Sequence, residues 1–159
     1  MDLNAPQTAR SRATPSARPP WQVRFFSPIL KLFLRLGLPL GFNRLVTIRG
    51  RKTGLPRTAA LAVLEIGGRR WVWAPWGEVN WVRNLRAAGA ATIAVRGRQE
   101  DVLATELDAT ERVEFFRDVL GPFARSIPLG IWFIRIVDGV DLNHPVEAAN
   151  GRRVFELHP

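Results

Sequence analysis

A chain of 159 residues with 47% hydrophobic side chains is long enough for one ordinary domain with its own core, and too apolar to be a disordered chain. It has no cysteine and no tyrosine, which excludes a disulfide framework, a thiolate metal site, and a thiol or phenol as acid, base or nucleophile. The two histidines, His144 and His158, lie far from any carboxylate pair at ligand spacing, so no metal is expected, and a cysteine-free chain fits a cytoplasmic location.

The net charge of +9 is unevenly placed. Residues 1–57 carry eleven Lys and Arg against one acid, Asp2, whereas residues 58–159 carry twelve basic against thirteen acidic side chains. The excess belongs to the N-terminal third, which suggests contact with something anionic: phosphates, a nucleic acid or a membrane surface.

Residues 1–24, rich in Pro, Ala, Ser, Thr and Arg without apolar periodicity, read as a flexible basic tail, and residues 25–159 as a single domain. The stretch "FFSPILKLFLRLGLPLGF" does not end in the small residues of a secretory cleavage site. Within it a helix is predicted over 27–37. Ser27 can cap, Pro28 suits the first turn, and Gly37 with Pro39 ends it. Lys31 and Arg35 fall four apart on one face, and Ile29, Leu30, Leu32, Phe33, Leu34 and Leu36 cover the rest. At about half the length of a bilayer span it is no transmembrane helix. It suits packing against the barrel or a partner subunit, as in a homodimer. It also suits peripheral contact with the inner face of the plasma membrane.

From Leu45 the pattern turns to strands. "LVTIR" alternates, "TAALAVLEI" is a near-continuous apolar run, and "RRWVWA" follows the two-residue turn Gly67-Gly68. "NWVRNLRAAG" reads as a short helix capped by Asn80 and stopped by Gly89. "ATIAVRGRQEDVLATEL" reads as a second hairpin with Gly97-Arg98 at its turn. Asp108 and Glu111 form a capping box for a helix that ends at Gly121. "IPLGIWFIRIV" fits helix or strand, and "RRVFELHP" closes as a strand. The fold class is therefore α+β, mainly β: a small antiparallel closed or split barrel of about six strands with short helices and an N-terminal helix.

One loop concentrates charge. "RGRKTGLPR", residues 49–57, holds Arg49, Arg51, Lys52 and Arg57 among two glycines and a proline. Gly50 and Gly54 let backbone amides approach a ligand. Arg51 and Arg57 can fork onto phosphate oxygens, Lys52 adds a point charge, Thr53 a hydroxyl, and Pro56 stiffens the exit. It is not a Walker loop, whose spacing is missing. A solvated hairpin loop with basic decoration accounts for the same residues. Beyond it come Trp71, Trp73, Trp76, Trp81 and Asn84. Aromatics near a phosphate cradle suit a ligand with a planar ring and an anionic tail, although the alternation of Trp71 and Trp73 also suits core packing for at least one of them.

Together these motifs resemble the deazaflavin (coenzyme F420)-dependent nitroreductase family. The resemblance rests on Gly50, Arg51, Lys52, Thr53, Gly54, Pro56, Arg57 and Thr58, and then on Trp81, Asn84 and Leu85, within residues 45 to 120. It implies a flavin-binding-like split β-barrel that uses the reduced deazaflavin as a cosubstrate. The cofactor-binding set it implies is Arg51, Lys52, Thr53, Gly54, Pro56 and Arg57 for the phosphodiester and acidic tail. Trp73, Ala74, Pro75 and Trp76 would lie against the ring, with Trp81 and Asn84 beyond. Hydride would pass to a small-molecule acceptor, a quinone or nitro compound. The chain departs from the family in having Pro75 where a serine is frequent, and in lacking a C-terminal tyrosine at the substrate pocket. No catalytic residue is nominated, because hydride transfer needs position more than side-chain chemistry; the accompanying proton can come from water, Ser126 or His144. An FMN-binding barrel is the nearest alternative. A non-enzymatic basic module on anionic lipid or nucleic acid is the other, though no helix-turn-helix or RNA-recognition signature supports nucleic acid.

Overall fold

The computed structural model describes residues 42–95 and 97–159. The basic tail 1–24, the helix expected over 27–37 and the membrane contact read from it lie outside the described residues. Six strands form the fold: β1 Asn43–Arg49, β2 Pro56–Ile66, β3 Arg69–Ala74, β4 Ala90–Val95, β5 Arg98–Glu106 and β6 Arg153–His158. All pair antiparallel in the order β1-β2-β3-β6-β5-β4, and β1 pairs with β4 to close the barrel. Closure leaves no sheet edge to attract a foreign strand. Among the described residues no helix is long and apolar enough to cross a membrane.

The turns obey the glycines. Ile66 pairs with Arg69, so Gly67 and Gly68 make the whole β2–β3 loop, with φ of 60° and 76°, as a tight twisted hairpin requires. In the β4–β5 hairpin Val95 pairs with Arg98. Arg98 is thus already in the ladder, and the turn falls one residue earlier than Gly97-Arg98, with Gly97 at φ 78° supplying the left-handed position.

Strand alternation sorts the apolar side chains into two cores. Val46, Ile48, Val63, Val72, Ile93, Val102, Phe155 and Leu157 fill the barrel, together with Val82 and Leu85 of helix α1, Asn80–Ala88. The outward residues Leu64, Trp71 and Val154 pack beneath the C-terminal helices. Asn80 does not cap α1. Val79 holds that position, its apolar side chain offering no cap bond, while its N–H donates to the Gly77 carbonyl at 2.8 Å. Gly89 ends α1 in the left-handed conformation, as expected.

The helix after β5 starts as expected: Asp108 accepts from the amides of Thr110 and Glu111, and Glu111 returns the bond to Asp108 N–H at 2.8 Å. It does not stop at Gly121. α2 (Ala109–Glu114) runs into a π-helical turn, Phe115–Leu120, and then into α3, Gly121–Ser126. Pro122 is the cause. In a regular helix its ring would strike the carbonyl four residues back, and it has no N–H to donate. The widened turn, in which Gly121 N–H reaches Phe116, makes room for it. The ambiguous apolar run resolves as helix α4, Gly130–Asp138, and a short α5, Pro145–Ala149, was not anticipated. Arg152 ties the two ends together, donating to the carbonyls of Gly139 at 2.9 Å and Ala148 at 3.0 Å.

Two glycines test how far backbone geometry carries stability. Gly77, at φ 74°, is buried so close to Gly151 that a Cβ would lie 2.6 Å from its carbonyl oxygen; Gly67, at φ 60°, faces open space. Gly77→Ala should cost about 3 kcal/mol or more and Gly67→Ala about 1 kcal/mol, measured by chemical denaturation. Equal losses would show that the close approach to Gly151 does not matter.

Candidate functional site

β1 pairs Arg49 with Pro56 of β2, so residues 50–55 form the basic loop. Two backbone bonds fold it: Gly50 N–H to Leu55 O at 2.9 Å, and Gly54 N–H to Gly50 O at 2.8 Å. Gly54 sits at φ 69°, and a Cβ on Gly50 would stand 3.0 Å from the Leu55 carbonyl. The loop is fastened to α1 by one side chain. Asn84, 9% exposed, accepts at Oδ1 from Arg51 N–H at 3.3 Å and from Arg51 Nη1 at 2.9 Å. The asparagine in the expected site is thus an anchor for the loop itself.

Between loop and helix opens a cleft of about 480 Å³. Gly50, Arg51, Lys52, Thr53 and Arg57 line one side; Asn80, Trp81 and Asn84 line the other; Ile48, Thr58 and Ala59 form the floor at the barrel mouth. No carboxylate among the described residues lines it. Among the described residues no acid stands within ion-pair distance of Arg51, Lys52 or Arg57. Trp81 is half-buried, its ring 6.1 Å from that of Phe155, so the indole links the cleft wall to the barrel core.

The remaining expected residues scatter. Gly54 and Pro56 line a shallower hollow with Arg49 and Asp101. Trp73 lies on the outer face of β3 and packs against Phe115, ring centres 6.0 Å apart, beside a different, apolar groove. Ala74 is buried inside the barrel. Pro75 and Trp76, half-buried in the β3–α1 connection, do not line the cleft. Ser126 donates to the Phe123 carbonyl at 2.7 Å, and exposed His144 faces Asp141 at 3.3 Å; neither lines the cleft. Asn80 was missed as a wall residue. Its i, i+4 spacing to Asn84 was the available signal, since it puts both amides on one helix face.

An ion-pair network holds α1 in register. Glu78 Oε1 accepts from Arg86 Nη2 at 2.7 Å and from Arg153 Nε at 2.8 Å, and Arg86 reaches on to Glu106 at 2.7 Å. The Arg86 hydrogen bond, with help from Arg153 and against partial burial, holds Glu78 down at about 2. Arg86 is raised in turn, first by Glu106 and then by Glu78. The approach to α1 is thereby tied to β6 and the last turn of the helix to β5. Among the described residues no group of His, Asp or Glu could hold a metal.

A six-stranded antiparallel barrel carries at its mouth a basic cleft, paired with no acid among the described residues, whose charge favours an anion. The family model described as F420H(2)-dependent quinone reductase matches residues 36–124, more than half of the chain, and the chain belongs to that family. The family description indicates an F420H2-dependent oxidoreductase. Among solved structures, the chain is similar to one described as a domain-swapped dimer (18% identity, 74% of this chain and 80% of that chain, TM-score 0.46). It is also similar to HutZ, the heme storage protein of Vibrio cholerae (15%, 83% and 88%, 0.44), and to the conserved hypothetical protein Rv2991 of Mycobacterium tuberculosis (12%, 93% and 84%, 0.42). No curated protein matches significantly.

Two predictions concern the scaffold of the cleft. Asn84→Ala removes both bonds to Arg51 and should cost about 1–2 kcal/mol in urea unfolding. Asn84→Asp should keep the anchor while weakening anion binding; no effect of either on stability or binding would show that the tether is dispensable. For Glu78, a folded pKa held below the unfolded value means stability that is present above about 4.5 and is lost as pH falls through about 2. The stability gap between wild type and Glu78→Gln should therefore narrow over that window, measured by denaturation at stepped pH.

Proposed function

We propose that the cleft holds the phosphodiester and acidic tail of reduced coenzyme F420, and that the protein directs its hydride to a quinone or nitro compound. The observation that carries this reading is the cleft's composition: three cations and a threonine hydroxyl on one wall, an indole on the other, and no acid. The donor set fits the group. Arg51 and Arg57 offer forked donors to phosphate oxygens, Lys52 a mobile ammonium, and the glycine-flanked backbone room for close approach. An acid-free cleft favours an anion by charge, and Trp81 gives a planar ring an apolar surface.

When bound, the deazaflavin supplies the hydride. The chain's own part is positional. Asn84 holds Arg51 in place before any ligand arrives, which reduces the ordering cost of binding. Pro75 and Trp76 sit in the connection that leads directly into Asn80 and Trp81, and we assign them to the ring end of the site; Trp73 serves the outer core instead. Among the described residues no carboxylate or imidazole lines the cleft, so the cleft itself offers no such acid for the proton that follows the hydride.

Fluorescence titration with the deazaflavin, FMN and NADPH tests the assignment. The deazaflavin should bind most tightly, and Lys52→Ala or Arg57→Ala should each weaken it about 10- to 100-fold with unchanged unfolding curves. Retained affinity in both variants would remove the loop from the site, and tighter binding of FMN would change the cofactor.

A further inference from the structure

On the far side of β2 and β3 from the barrel interior lies an apolar groove of about 390 Å³, separate from the basic cleft. Its floor is Leu64 and Trp73, and its rim carries three large side chains that stand in water: Phe42, Leu129 and Trp132 at 45%, 75% and 60% exposure. Leu129 is doubly unfavourable. It is the one non-glycine at positive φ among the described residues (60°), at the joint between α3 and α4, and it is the most exposed large hydrophobe among them. The joint cannot relax readily, because Gly130 packs so tightly that a Cβ would stand 2.4 Å from the Ala124 carbonyl. A leucine held outward in the left-handed region signals a surface that something covers.

We propose that the groove is the docking site of the chain's own segment 25–41, with Lys31 and Arg35 directed to Asp138. Continuity is the first argument. Phe42, the first described residue, already lies in the groove, its ring edge-on to Phe123 at 5.5 Å, so the segment before it is tethered to the groove itself. Five residues, 37–41, separate Leu36 from Phe42 and reach at most about 22 Å, so the end of the apolar run Ile29–Leu36 is within reach of the groove. A segment tethered this closely has an effective concentration in the millimolar range, well above that of a separate partner. Charge is the second argument. Among the described residues the groove is lined by one acid, Asp138, and no cation, while the segment carries two cations and no acid. Burial in this apolar wall pushes the Asp138 carboxyl up to about 6 against the opposing charge of Arg152, a cost that a nearby cation relieves.

The absence of native cysteine makes the test clean. Leu129→Cys and, separately, Trp132→Cys are labelled with a maleimide in the full chain, with and without Leu32→Asp and Phe33→Asp in the segment. Leu103→Cys, exposed on β5, is the control. Labelling at 129 and 132 should accelerate at least about 10-fold when the segment is made acidic, and labelling at 103 should not change. Equal rates at 129 and 132 in both backgrounds would overturn the proposal. So would protection that vanishes on dilution, which marks a second copy as the occupant, or protection that arises only with phosphatidylglycerol vesicles, which marks a lipid surface.

Discussion

Arg51 and Lys52 on one short loop and Arg57 at the start of β2 crowd one cleft, and no carboxylate among the described residues neutralises them. In water each such pair repels by about 1 kcal/mol or less at contact range, so the loop can exist without a ligand. It exists in one shape because the Asn84 amide oxygen takes two bonds from Arg51, one from backbone and one from side chain. A hydrogen bond from a charged donor contributes about 1.5–3 kcal/mol, comparable to the repulsion it has to overcome. The whole cleft depends on that balance. The tether orders the cations, and their mutual repulsion favours an anion between them.

The tether in turn depends on where α1 lies. Val82 and Leu85 seat the helix in the barrel mouth, while Glu78 with Arg153 fixes its approach against β6 and Arg86 with Glu106 fixes its last turn against β5. Residues i and i+4 on such a helix share a face, so the inward seating of Val82 and Leu85 turns Asn80 and Asn84 towards the loop. The site is therefore a consequence of barrel closure: the packing that buries Leu85 also aims Asn84.

Much of this was legible in the chain, and the reasons are specific. Gly67-Gly68 and the Asp108–Glu111 box act within three residues, so local chemistry decides them and both appear as read. The helix end at Gly121 did not, because the local stop signal of glycine followed by proline is overridden by packing of Phe115, Phe116 and Leu120 into the outer core, with a π-helical turn absorbing the proline. The α4 run is apolar on more than one side, so its period could not separate helix from strand. In the site, the basic loop declared itself by composition. The placement of Trp73 could not be read, because alternation shows that Trp71 and Trp73 share a face but not which face a helix will cover.

The two outer features of the barrel divide its surface by chemistry. β2 contributes Arg57, Thr58 and Ala59 to the basic cleft at one end, and Ala62 and Leu64 to the apolar groove further along. Along an extended strand the nearest of these, Ala59 and Ala62, are about 10 Å apart and the farthest, Arg57 and Leu64, about 23 Å, so the two features are offset along β2. β3 adds Trp73 to the groove and nothing to the cleft, so β2 is the strand that joins them. The groove is therefore linked to the cleft through the strand that they share.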